Sequence, residues 1–374
     1  MMNHKYKILF DAYHLYHLPQ FDPVIDLLAQ DDRFELFLST SSEIDKGERE
    51  LALSIMEKRP GKIIKADTEQ ERSNIIRDLM LDVFICGWSR YKIEKFIPDS
   101  TLAGMIYHGI GVKPSYWRDN HERLDIRFVE GEYRIQQLRD YGIQTDLALT
   151  GFTKLDPLFH DNNVQDEKLF RALDLDPEKK TILFAPTFYP NSLEKFGMDL
   201  GVLTKDYNVI LKLHMWAYFM DRFGDINLKP QLRLGYKLAE QYEHIKLVGP
   251  EIYNIVHLYK LADILMTDAS STIYEIIALE KPVIVNRFLK LKLSHRIFRS
   301  RLYRKRLNEE MDRDISKFCF ELQSPKDLTS ILETAFKEND KQLNIIRKYQ
   351  KKMLFKLDGQ ASVRVRDRIL DRLN

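Results

Sequence analysis

Cysteine is scarce in this chain. Cys86 and Cys319 stand far apart and without metal-ligand spacing, which excludes a disulfide framework and implies a reducing compartment. Long apolar runs are also missing. No stretch approaches the roughly 18 apolar residues needed to cross a bilayer. The first ten residues carry Lys5 and Lys7 but no apolar run of the kind a signal peptide needs. Nor does charge of one sign dominate: 58 Lys and Arg against 56 Asp and Glu leave a net charge of +2. No global attraction to nucleic acid or membrane follows, so any such attraction must come from a local patch. The phosphate loop GxxxxGK[ST] and the dinucleotide fingerprint GxGxxG are both absent, which argues against an ordinary ATPase or NAD enzyme. No Asp-x-Asp signature marks a metal-dependent sugar transferase, and no repeat or low-complexity tract is visible.

What is present is an alternation of short apolar runs with amphipathic stretches, over 374 residues that can hold two domains. Continuous apolar runs of four to seven residues read as strands buried on both faces. Lys7–Asp11, Phe34–Ser39, Leu81–Cys86, Leu102–Tyr107, Ile126–Val129 and Asp146–Thr150 form a first set. Asp22–Ala29 reads as a helix with Pro23 in its first turn. Phe159–Lys180 is polar and reads as a linker. Thr181–Ala185, Val209–Leu213, Ile245–Val248, Ile264–Met266 and Val283–Asn286 form a second set, with helices at Leu232–Tyr242, Ile252–Leu261 and Thr272–Leu279. Two or more helices follow from about Pro325. Strands alternating with helices predict an α/β fold of parallel sheets. The expected organisation is a Rossmann-like acceptor-side domain over 1–160 and a Rossmann-like nucleotide-donor domain over 161–340. Helices over 341–374 pack back on the first domain. Two doubly wound domains would face a central cleft, with ligands at the carboxyl ends of the strands.

Five strand ends carry polar residues. After Leu265 comes Thr267-Asp268-Ala269-Ser270-Ser271-Thr272-Ile273-Tyr274-Glu275. Thr272 and Glu275 have capping-box spacing, and hydroxyls at a helix start suit phosphate as well as they suit capping. Next is Tyr107-His108-Gly109-Ile110-Gly111-Val112-Lys113, where His108 could be a general base and Lys113 a point charge for phosphate. A loop histidine with a structural hydrogen bond is the plainer reading of that position. Lys212 and His214, two apart, would share one side of an extended strand, where they either suit a phosphoryl oxygen or simply face the surface at the edge of the sheet. Thr187 closes another strand, either as a phosphate donor or as a turn cap. Lys154 and Asp156 either line the cleft or pair with each other. His14 and His17 lack a third metal ligand and read as structural.

Arg287 to Arg306 holds nine Lys or Arg and no acid, interleaved with Phe, Leu, Ile and Tyr. Arg296, Arg299, Arg301, Arg304, Lys305 and Arg306 are the candidates for an anionic membrane or polyanionic acceptor surface. The plainer alternative is a solvated helix whose long side chains cover apolar surface. No nucleic-acid-binding motif accompanies the run.

The order of these elements carries more than any one of them. His108-Gly109 followed by Lys113, then Gly151-x-x-Lys154-x-Asp156, Ala185-Pro186-Thr187, Lys212-x-His214, and Thr267-Asp268-x-Ser270-Ser271 before Lys281-Pro282 resembles the CDP-glycerol glycerophosphotransferase family of teichoic-acid and capsule enzymes. The similarity runs from about Phe84 to Val285. Ala269, Glu275, Thr153, Lys154 and the basic run depart from the family pattern. The resemblance implies a GT-B fold and transfer of glycerol phosphate, or a related polyol phosphate, from a CDP-activated donor to a hydroxyl of a cell-surface polymer or lipid-linked acceptor, with release of CMP. It implies that His108 is the base, and that His214 and Lys212 meet the donor phosphates. Ser270, Ser271 and Thr272 would hold the pyrophosphate, with Asp268 shaping that loop and Thr187 lining the pocket. Glu275, where the family usually has Asp, could instead grip ribose hydroxyls, as in GT-B enzymes that use sugar nucleotides. No cofactor beyond the nucleotide donor and no metal is expected. The enzyme would be cytoplasmic and peripheral on the inner face of the cell membrane. The alternatives are a GT-B glycosyltransferase using a sugar nucleotide, an enzyme like UDP-N-acetylglucosamine 2-epimerase, and a non-enzymatic membrane-associated scaffold.

Overall fold

The computed structural model describes residues 5–88, 92–111, 115–118, 121–160, 163–298, 300–302 and 308–373. The chain forms two compact units. The first is Met1–His108, Ser115–His160 and Lys351–Asn374, and the second is Gly109–Pro114 and Asp161–Gln350.

In the first unit, seven strands form one parallel sheet: β1 (Tyr6–Asp11), β2 (Phe34–Ser39), β3 (Lys62–Ile64), β4 (Val83–Cys86), β5 (Leu102–Ile106), β6 (Ile126–Val129) and β7 (Asp146–Leu149). Their order is β3-β2-β1-β4-β5-β6-β7. The central strands explain the unbroken apolar runs: Ile8, Leu9, Phe10, Val83, Phe84 and Ile85 are fully buried, as strands covered on both faces must be. The chain runs outward from β1 through β2 to β3, then restarts on the other side of β1 at β4. The switch point therefore lies between β1 and β4, where ligands of such sheets bind. The helix Ala361–Leu373 packs on the helix Asp22–Leu28.

The second unit has a six-stranded parallel sheet of β8 (Thr181–Ala185), β9 (Asn208–Leu211), β12 (Ile245–Leu247), β13 (Ile264–Thr267), β14 (Val283–Asn286) and β15 (Phe320–Leu322), in the order β12-β9-β8-β13-β14-β15. A small antiparallel ribbon, β10 (Arg222–Phe223) with β11 (Ile226–Asn227), is inserted after β9. Here the switch point falls between β8 and β13. The core gathers Ile182, Phe184, Val209, Leu211, Ile264, Met266 and Ile284 from the sheet with Leu328, Leu332 and Ala335 from the helix Leu328–Met353.

Several expectations need correction. The polar stretch expected as a linker contains the helix Asn163–Ala172. Its polarity reflects exposure, and Asp166 pairs with Lys260 at 3.1 Å. β3 and β15 had no sequence signal: each is a three-residue, partly exposed edge strand. The helix expected from Ile252 begins at Val256, whose N–H is capped by Asn254 Oδ1 at 3.1 Å. The helix expected from Leu232 begins at Lys229, with Pro230 in its first turn.

Candidate active site

At the first switch point the loop after β1 carries His14, Tyr16, His17 and Gln20, and the loop after β4 begins with Gly87 and Trp88. His108 follows β5. Its Nδ1 lies 3.1 Å from the carbonyl oxygen of Gly87. A carbonyl can only accept, so Nδ1 carries the proton in the neutral ring and Nε2 is the basic nitrogen. The rings of Tyr16, Tyr116 and His17 stand 5.2, 5.1 and 4.9 Å from that of His108. His17 is fully buried, and its pKa lies well below the usual imidazole value, first through burial and then through the charges of His108 and His14. Behind it, Glu48 accepts from His14 Nδ1 at 3.1 Å and from the Leu15 N–H at 3.0 Å. Of the two histidines that read as structural in the sequence, His17 thus adjoins His108, and His14 adjoins His17 with ring centroids 5.9 Å apart.

The ends of β9, β8 and β13 are neighbours in the second sheet, so its order gathers Lys212, Thr187 and Asp268–Thr272 along one edge. Asp268 is fully buried and accepts from the Thr187 N–H at 2.9 Å. Burial pushes its pKa up to about 7, although hydrogen bonds from Ser192, Thr187 and Asn286 act in the opposite direction. Thr187 Oγ1 donates to the Pro190 carbonyl. Asp268 and Thr187 therefore tie the two loops of the switch point together.

β9 ends at Leu211, so the alternation expected to align Lys212 with His214 does not extend to them. Lys212 Nζ donates to the Gly249 carbonyl at 3.1 Å, and burial lowers its pKa to about 8. His214 Nδ1 accepts from the Trp216 N–H at 3.3 Å, and its ring lies 4.9 Å from Phe188. The expected capping box is also absent. Ser271 is the N-cap of the helix Thr272–Ile276 and makes no side-chain cap bond, while Ser270 Oγ accepts from the Thr272 N–H at 3.3 Å. Glu275 is fully buried and accepts from Tyr259 Oη at 2.8 Å.

Beside this edge the second unit contains a cavity of about 600 Å³, lined by Ala269, Asn286, Arg287, Phe288, Leu291 and Leu302 among others. That is the size of a small-molecule pocket. Among the described residues, no group of three or more His, Cys, Asp or Glu side chains could hold a metal ion.

The family model described as CDP-Glycerol:Poly(glycerophosphate) glycerophosphotransferase matches residues 115–371. The chain belongs to this family. The teichoic acid poly(glycerol phosphate) polymerase of Bacillus subtilis strain 168 is 30% identical over 158 residues, 39% of this chain and 19% of the relative. The teichoic acid glycerol-phosphate primase of Bacillus spizizenii is 26% identical over 150 residues, 38% of this chain and 35% of the relative. The matched stretch thus spans between a fifth and about a third of these curated relatives. Among solved structures, the wall teichoic acid polymerase TagF, a histidine variant soaked with CDPG, superposes with a TM-score of 0.70 at 16% identity, covering 99% of this chain and 90% of that one. UDP-GlcNAc 2-epimerase from Neisseria meningitidis superposes with a TM-score of 0.62 at 14% identity, covering 98% of this chain and 100% of that one. These likenesses define a GT-B-like α/β fold.

In this glycerophosphotransferase family member, other motif residues have structural partners. Asp156 does not pair with Lys154. It accepts from the N–H groups of Ala361 and Ser362 at 3.0 and 2.8 Å and from Ser362 Oγ at 2.6 Å, capping the helix Ala361–Leu373. Lys281 donates to the carbonyls of Tyr259, Lys260 and Ala262 within 2.9 Å. The basic run is not uniformly free. Arg287 is bound to Asp312 and Glu321 at 2.7 and 2.6 Å, Lys290 to Glu194 at 2.5 Å, and Lys292 to Asp225 at 2.8 Å. Arg296 is exposed, and Arg301 lies over the Phe298 ring at 4.6 Å. Lys113, Arg299, Arg304, Lys305 and Arg306 fall outside the described residues. Among the described residues, no helix is long and apolar enough to cross a membrane.

Proposed function

We propose that this chain transfers glycerol phosphate from CDP-glycerol to a hydroxyl of a polymer or lipid-linked acceptor. The observation that carries this reading is the family match over 115–371, joined to a histidine at the first switch point whose hydrogen bond to Gly87 leaves Nε2 basic. In the reaction the acceptor oxygen attacks the glycerol-bearing phosphorus. A new P–O bond forms, the P–O bond to the CMP phosphate breaks, and the acceptor proton passes to His108 Nε2. Such a transfer depends on positioning and charge stabilisation. His214, Lys212 and the hydroxyls of Ser270, Ser271 and Thr272 would meet the donor phosphates. A phosphate near Lys212 would restore the charge that burial disfavours. Thr187 and Asp268 would hold the loop, and Glu275 would act through Tyr259 as packing.

The surface around Leu293–Phe298 would rest on anionic lipid. Leu293, Ile297 and Phe298 are 68%, 63% and 50% exposed, Arg296 and Arg301 stand among them, and no acid occurs between Phe288 and Asn308. Apolar side chains with neighbouring cations suit a membrane interface.

The test is CMP release from CDP-glycerol together with thermal shift. CDP-glycerol should raise the melting temperature, and UDP-GlcNAc should not. His108→Ala should cut turnover by about 10²- to 10⁴-fold while the CDP-glycerol shift persists. Wild-type turnover in that variant would remove His108 as the base. A shift with the uridine compound alone would overturn the donor.

A further inference from the structure

Beneath His108 lies a group of polar atoms to which the reaction as described gives no task. His17 and Gln20 are both fully buried. His17 Nδ1 accepts the His14 N–H at 3.4 Å. Since burial keeps the ring neutral, its proton sits on Nε2, a donor with no acceptor among the described residues. Both amide atoms of Gln20 likewise lack partners among the described residues. Buried polar groups are nearly always hydrogen-bonded, so three orphan atoms on two neighbouring side chains point to a missing partner. Their position is defined by the backbone, because Thr153 Oγ1 donates to the Gln20 carbonyl at 2.6 Å. Gly87 completes the arrangement. A Cβ there would come within 2.9 Å of both Gln20 Nε2 and His17 Cγ, so only glycine lets these two side chains lie against the end of β4. The pair lies at the switch point between β1 and β4, where a doubly wound sheet binds its ligand.

We infer that His17 Nε2–H and the Gln20 carboxamide form a subsite for a hydroxyl of the acceptor's polyol end. One neutral donor beside a group that both donates and accepts matches a hydroxyl, which does the same. A phosphate would call for charge-assisted donors instead. The half-buried Tyr16 and Trp88 rings flank the pair, with the Tyr16 and Trp88 centroids 4.5 and 6.4 Å from that of His17. A hydroxyl held here orients its neighbour toward His108, which makes His17 and Gln20 specificity-determining residues. The inference rests on the transferase reading for the role of His108.

The test uses the full chain with CDP-glycerol as donor and a glycerol phosphate trimer as acceptor. Gln20→Met keeps the volume and removes the polar atoms. It should raise the acceptor KM by about 3- to 10-fold, the loss of one hydrogen bond, and leave the CDP-glycerol KM unchanged. The melting temperature should stay level or rise, because an unpaired buried polar group is removed. An unchanged acceptor KM with a raised melting temperature overturns the subsite. If Gln20→Met fails to fold, Gln20→Asn, which withdraws the carboxamide by one methylene, reads the same KM. Wild-type protein without CDP-glycerol turnover overturns the transferase reading itself and the subsite with it, an outcome distinct from active wild type with an unmoved KM.

Discussion

Asp268→Asn should remove most of the loss of stability that the protein undergoes as pH rises from 5 to about 7. The carboxyl is fully buried, and burial raises its pKa from 3.8 to about 7. Because the folded pKa is raised, the folded state binds the proton more tightly than the unfolded state does. Stability is therefore complete below the unfolded value near pH 4 and falls as pH rises towards 7, levelling off above it. A rise from 3.8 to about 7 corresponds to about 4 kcal/mol, of which about 3 kcal/mol falls between pH 5 and 8.5. Asparagine has the same shape, can still accept the Thr187 N–H, and does not ionise. Urea denaturation of both proteins at pH 5, 7 and 8.5 gives the difference in unfolding free energy, free of titrations the two share. The variant should gain about 3 kcal/mol on wild type across that range. A difference that stays flat with pH, or that grows in favour of wild type, would refute the argument: the carboxylate would then be stabilised in place by Ser192, Asn286 and Thr187.

Three further outcomes are expected. Lys212→Met should stabilise the protein at pH 7 by up to about 3 kcal/mol. The lysine pKa is lowered from 10.5 to about 8, so its charge destabilises the fold below pH 8, and that penalty is relieved between pH 8 and 10.5. The same variant should weaken CDP-glycerol binding at least tenfold by calorimetry, and unaltered affinity would remove Lys212 from the donor site. Asp156→Ala should lower the unfolding free energy by about 3 kcal/mol, read by urea denaturation, because it orphans two N–H groups and a hydroxyl at the start of the final helix. Replacing Leu293, Ile297 and Phe298 together with serine should reduce co-sedimentation with phosphatidylglycerol vesicles without changing the melting temperature. Undiminished sedimentation would reject that surface as the lipid contact.

The alternation of elements was legible because a strand buried on both faces must be apolar throughout, as Thr181–Ala185 and Val83–Cys86 are. The polar residues ending those strands could be found the same way, since a parallel sheet exposes its ligand edge there. Edge strands β3 and β15 escaped, because partial exposure removes the apolar signal. The helix Asn163–Ala172 escaped because it is largely exposed.

The sequence by itself determined the fold class, the order of the motifs and the family they resemble. These follow from local burial patterns and from short spacings that survive in one dimension. Tertiary structure alone decided the partners. Asp156 caps a helix 205 residues away, a distance at which no spacing rule operates. Arg287, first of a run that read as a single basic surface, is held by Asp312 and Glu321, acids outside the run. His17 and Gln20 gain their meaning from Gly87, brought beside them because β4 pairs with β1. Periodicity reports whether a side chain is buried. What it is buried against depends on which distant segment the sheet order sets beside it.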